Sequence, residues 1–126
     1  MNLNMSGHNG VSISRLNDRL SVTLQGDIVK ETLTILSTDL LERIHVNRVS
    51  LVIFDLSAVD VLDLTEFNAL HHIALMIKLM GAETIFTGLN PGMVTFLVSA
   101  DADVSDINTA SGLEDIDRVL SLLKND

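Results

Sequence analysis

Between Val49 and Gly81 the chain changes its hydrophobic period without a spacer, and no other feature restricts the fold as much. Val49, Leu51, Val52, Ile53 and Phe54 form a nearly continuous apolar run without Gly or Pro, the pattern of a strand covered on both faces. A short loop carrying Asp55, Asp60 and Asp63 is expected next. Apolar residues then recur at helical spacing as far as Met80-Gly81-Ala82. Asp63 stands where an N-cap belongs: its carboxylate can accept from the free N–H groups of the first turn and lies at the positive end of the helix dipole. Glu66 has the spacing of the partner in a capping box, and Gly81 sits just past the last turn, where helices commonly stop. A strand feeding a capped helix puts the loop at the C-terminal edge of a sheet, where open α/β sheets carry their functional surfaces.

The flanking sequence supplies the rest of such a sheet. Residues 1–10 read as a polar, flexible leader. Val11 and Ile13, then Leu20, Val22 and Leu24, alternate with polar residues, so two half-buried strands are expected, joined at Asn17-Asp18 as a hairpin. From Val29 to Val46 the period lengthens: Leu33, Leu36, Leu40, Leu41 and Ile44 form one stripe of an amphipathic helix, with Lys30, Glu31, Asp39, Glu42 and Arg43 on its polar side. Beyond Gly81, residues 84–87 read as a strand, and Asn90-Pro91 opens a helix whose apolar content is Met93, Val94, Phe96, Leu97 and Val98. Residues 107–110 form a weak strand, and Leu113, Ile116, Val119, Leu120 and Leu123 mark a last helix. The order is ββαβαβαβα, an α/β fold with a mixed β-sheet: one antiparallel hairpin, then parallel strands joined by crossovers and covered by about four helices.

Composition narrows the function. Apolar residues make up 47% and aromatics only 3%, so the core must be aliphatic. A net charge of −9 with eight scattered basic residues excludes nucleic acid, which needs clustered Lys and Arg. The absence of cysteine excludes disulfides, zinc thiolates and a cysteine nucleophile, and suits a reducing cytoplasm. The leader lacks a signal-peptide pattern, and no apolar run reaches the length of a membrane span.

Catalytic chemistry finds little to hold. Asp55, Asp60 and Asp63 could suggest a Mg²⁺ site, but a strand end, a turn and a helix cap account for them. His71 and His72 are adjacent on a helix and point about 100° apart, so they cannot share a metal as an i, i+4 pair could. No nucleophile elbow or phosphate-binding loop appears; Gly88-Leu89-Asn90-Pro91-Gly92 reads as a strand-to-helix turn. Neither an enzyme, a metal nor a cofactor is expected.

Element order and motifs together resemble the STAS domain, the fold of anti-sigma-factor antagonists, and within it the RsbS-type component of the bacterial stressosome. The residues that carry the resemblance are Val52-Ile53-Phe54-Asp55-Leu56-Ser57-Ala58-Val59-Asp60, Asp63, Lys78-Leu79-Met80-Gly81-Ala82 and Thr87-Gly88-Leu89-Asn90-Pro91. The resemblance implies one STAS domain over residues 11–124. It further implies capture of a serine/threonine switch kinase of the histidine-kinase-like ATPase fold, and self-association with other STAS subunits as a homodimer or larger assembly. In that family the residue after the capping Asp is a Ser or Thr that the kinase phosphorylates, which releases it. Here that residue is Leu64, and Thr65 follows as the candidate phosphoacceptor in its place. A structural scaffold subunit is one alternative. Another is a small-molecule or nucleotide sensor using the helix N-terminus after Gly88.

Helix geometry at about 100° per residue separates two faces. Phe67, Leu70, Ile73, Ala74 and Ile77 should meet the sheet. Leu64, Asn68, His71, Leu75, Lys78 and Leu79 fall opposite, and Thr65 falls between the sectors, with its hydroxyl less accessible than a side chain at position 64. With Asp60 and Asp63, the residues Leu64, Asn68, His71, Leu75 and Leu79 are the candidate partner-binding surface, since contiguous apolar patches mark interfaces.

Overall fold

The computed structural model describes residues 10–124. The expected leader therefore lies outside them except for Gly10. The elements are β1 (Val11–Leu16), β2 (Arg19–Asp27), α1 (Lys30–Val46), β3 (Leu51–Val61), α2 (Leu64–Leu79), β4 (Glu83–Thr87), α3 (Pro91–Ser99), β5 (Thr109–Ala110) and α4 (Leu113–Lys124), in the expected order.

They form one five-stranded sheet in the order β1-β2-β3-β4-β5. The β1–β2 hairpin is antiparallel and every other pair is parallel. Asn17 takes a positive φ of 57° in the hairpin turn, a conformation Asn tolerates better than most residues. Because β2 to β5 progress across the sheet in one direction, right-handed crossovers place the connecting helices on one face. Their side chains meet there: Leu36 and Leu40 of α1, Leu70 and Ile77 of α2, and Leu97 of α3 share a core with Val22 and Phe54. On the other face Leu51, Ile53 and Ile85 pack against Ile116 and Leu120 of α4. The apolar run in β3 is thus covered on both sides, and Phe54 stacks on Phe86 with ring centroids 5.2 Å apart.

Three local expectations are corrected. The aspartate loop is largely strand: β3 continues through Asp55 and Asp60 to Val61. Strand β2 follows it across two register shifts, between Thr23 and Gln25 and between Gly26 and Asp27, so the ladder continues while Leu56 and Val59 stay buried. Strand β5 is only Thr109–Ala110; Asn108 instead spends its amide on the Thr84 carbonyl at 3.1 Å. Asp39, expected on the polar side of α1, is buried and accepts from Arg43 Nε at 2.9 Å, which offsets the cost of burying its charge.

Candidate partner-binding site at the start of the second helix

The site is built where β3 outruns its neighbour. Strand β4 pairs with β3 only as far as Asp55–Thr87, which leaves the 56–61 extension of β3 paired with β2 alone. Asp55 Oδ1 accepts from the Ser57 backbone N–H at 3.0 Å and from its hydroxyl at 2.7 Å, a local side-chain clasp of the kind Asp favours. Gly88, with φ of +81°, lies so close to this segment that a Cβ there would stand 2.4 Å from Ser57 N. The turn into α3 is thereby seated on the β3 extension.

Two helix starts then lie side by side. Asp63 caps α2, its Oδ1 accepting from Glu66 N–H at 3.2 Å, and Asn90 caps α3, its Oδ1 accepting from Met93 N–H at 2.8 Å. Pro91 occupies the first turn of α3 as expected. A cavity of about 330 Å³ separates the two starts, lined among others by Asp60, Leu62, Asp63, Asn90 and Phe96. Two helix N-termini favour an anion, but a phosphate in this cavity would meet the carboxylates of Asp60 and Asp63. The local charge therefore opposes a nucleotide's phosphates here. Among the described residues no group of three or more His, Asp or Glu is disposed to hold a metal.

The cap carries an unusual pair. The Asp63 and Glu66 carboxyls hydrogen-bond each other. That bond, with the Glu66 N–H, holds Asp63 below the usual carboxylate range, and the bond to Asp63 together with burial pushes Glu66 up. Glu66 Oε2 is buried with no hydrogen-bond partner among the described residues, which adds to the cost of ionising Glu66. The raised Glu66 stabilises the fold below its ordinary pKa and loses this contribution as pH rises through its folded value. The depressed Asp63 contributes above its ordinary value and loses it as pH falls. The cap is therefore firmest in mild acid. Glu66→Gln, which donates to Asp63 without titrating, is expected to raise the melting temperature at neutral pH and to change it less in mild acid. Asp63→Ala should lower it at both, and Asp63→Asn should restore most of the loss because Asn caps equally well. Equal melting temperatures for Asp63→Ala and the parent would show that Asp63 is not acting as a cap.

The surface of α2 differs from the wheel. Phe67, Leu70, Ile73, Ala74 and Ile77 are buried as expected, but His71 is buried with them at 6% exposure. Its ring stacks on Phe67 at 6.4 Å between centroids, and its Nε2 has no hydrogen-bond partner among the described residues. His71 is thus removed from the outward face. Leu64 is half-buried, while Thr65, Asn68 and His72 are exposed. Leu75 is 38% and Leu79 88% exposed. The outward sector is rotated toward Thr65 and His72, so residue 65 as a whole is more exposed than residue 64, where the sequence suggested the reverse. Phe96, 44% exposed beside the α2 start, was legible only as part of an apolar α3. The signal was there: Pro91–Ser99 is apolar on every side, more than one sheet face can bury.

A sequence profile of the STAS domain matches residues 2–120. The chain belongs to the STAS domain family. No curated protein matches this STAS domain in sequence. Among solved structures it is similar to an RsbS variant of Moorella thermoacetica, at 23% identity and a TM-score of 0.75 over 90% of this chain and 97% of that one. It is similar to a subunit of the stressosome, described as a signal integration and transduction hub, at 23% identity and a TM-score of 0.70 over 89% and 98% of the two chains. The anti-sigma factor antagonist SpoIIAA in its unphosphorylated form aligns at 13% identity and a TM-score of 0.69 over 88% and 96%. At these identities the likeness establishes the STAS fold. Among the described residues no helix of this STAS domain is long and apolar enough to cross a membrane.

Proposed function

We propose that this STAS domain is a protein-binding regulator of the RsbS type in the cytoplasm, holding a serine/threonine switch kinase of the histidine-kinase-like ATPase fold on the first turn and outward face of α2. It binds without the usual phosphorylation switch and assembles with other STAS subunits, as a dimer or in a larger shell. The observation that carries this reading is the start of α2: Asp60, Asp63 and Thr65 stand exposed, while Leu64 lies half-buried where the family resemblance expects a phosphorylated hydroxyl. Asn68, Leu75 and Leu79 extend the same surface along the helix, and the neighbouring exposed apolar pair Leu75 and Leu79 supports a partner contact there.

The surface is tested by charge insertion. Leu79→Glu and Leu75→Glu should leave the melting temperature near that of the parent and weaken either kinase capture or self-association, because a charge buried in an apolar contact is costly. Pull-down with the cognate kinase and sedimentation velocity read the two separately. Unfolding by Leu75→Glu would put that residue in the core. Full retention of both kinase binding and assembly in both variants would remove this face from the interface.

A further inference from the structure

We propose that the cavity between α3 and the β5–α4 corner is a binding site for a small neutral molecule of mainly hydrocarbon character. The cavity measures about 540 Å³, within the range of roughly 300–1,000 Å³ typical of small-molecule sites. Its walls include Phe67, Phe86, Leu97, Val98, Val104 and Ile107, and none of the described residues that line it is charged. In a chain of net charge −9 that lining is selective. An anionic head would lose its water with no counter-charge to meet it, whereas a hydrocarbon body gains by leaving water. The polar exceptions are Thr109 and Ser111, with the Gly88 backbone beside them, enough for one hydroxyl or carbonyl group.

The rim points the same way. Val98 is 65% exposed, and Val94 and Val104 nearly half, so apolar side chains from α3 and the following loop surround the opening. Water inside such a cavity finds few of the two to four polar partners it needs. Phe67 links the cavity to α2: its N–H donates to the Asp63 carbonyl at 2.9 Å, so an occupant touches the first turn of the helix that carries the proposed partner surface. The site itself does not rest on the kinase reading.

The probes are 1-decanol and decanoate, one neutral and one charged on the same chain length, titrated below micelle formation into the full-length protein and followed by methyl NMR. Decanol is expected to bind saturably at one site, shifting the methyls of Leu97, Val98, Val104 and Ile107 and sparing those of Val46 and Leu79, which are exposed elsewhere. Decanoate should bind at least about tenfold more weakly at neutral pH. Val98→Trp, at an exposed rim position, should weaken decanol binding by at least about tenfold without lowering the melting temperature. Non-saturating shifts, equal shifts at Val46 and Leu79, tighter binding of decanoate, or an unaffected Val98→Trp would each overturn the proposal. So would shifts of the lining methyls on raising protein concentration alone, which would give the cavity to a side chain of a second copy.

Discussion

Gly88→Ala is expected to lower stability by about 2–5 kcal/mol, the largest loss from any single methyl group at this site, through backbone strain and overpacking together. Two causes add. Gly88 has a φ of +81°, where a side chain is strained at a cost of about 1–3 kcal/mol. The new Cβ would also stand 2.4 Å from Ser57 N and 2.8 Å from Ser57 Cα. Those are backbone atoms held by the Asp55 clasp and cannot rotate away. Gly26→Ala is the control: its φ is +75°, but a Cβ there would meet nothing within 4 Å among the described residues, so the conformational cost of about 1 kcal/mol is expected. Urea midpoints of the two variants isolate the contact. Equal losses would mean that the α3 turn is not seated on the β3 extension, and the placement of the two helix starts would need another explanation.

Leu64→Ser is expected to turn a silent domain into a phosphorylated one. Under the proposed function, the parent incubated with its cognate kinase and ATP should gain no phosphate by intact mass and should keep the kinase bound. The Leu64→Ser variant should gain one phosphate and release the kinase, since a phosphate of about −1.5 to −2 charge beside Asp63 and Glu66 repels an acidic partner surface. Access does not protect Thr65, which is exposed; direction does. One helical residue turns the hydroxyl by about 100°, and phosphoryl transfer needs the acceptor oxygen in line. Misplacement by even about 1 Å can cost on the order of 100-fold in rate, and β-branching leaves the Thr65 hydroxyl few rotamers to compensate. Stoichiometric phosphate on Thr65 in the parent would return the protein to the switching class. Leu64→Ser removes only a half-buried side chain, so failure of the variant to fold is not expected to obscure the result.

Element order, the antiparallel start, the parallel remainder and both helix caps were legible in the sequence because each rests on local chemistry. A period of 2 or 3.6 reports which residues a strand or helix can bury. Asp63 and Asn90 announce helix starts by what their oxygens can accept, and Gly81 announces a stop. The aliphatic core followed from the same periodicity, as did the inward face of α2 from Phe67 to Ile77. The position of Leu64 directly after the cap, on which the proposed function turns, needs no coordinates at all.

What the tertiary structure alone decided are the features that depend on a neighbour. Strand β3 runs past Asp55 to Val61 because β2 accompanies it through two bulges, and no residue within 55–61 announces that a partner strand lies alongside. Gly88 reads as a turn glycine; its approach to Ser57 exists only once β3 and β4 are paired. His71 is buried against Phe67 and Thr65 is exposed, so the outward sector lies a fraction of a turn from where the sequence periodicity puts it. A helical wheel knows where residues point, and only the packing around the helix decides which of those directions meets protein and which meets water.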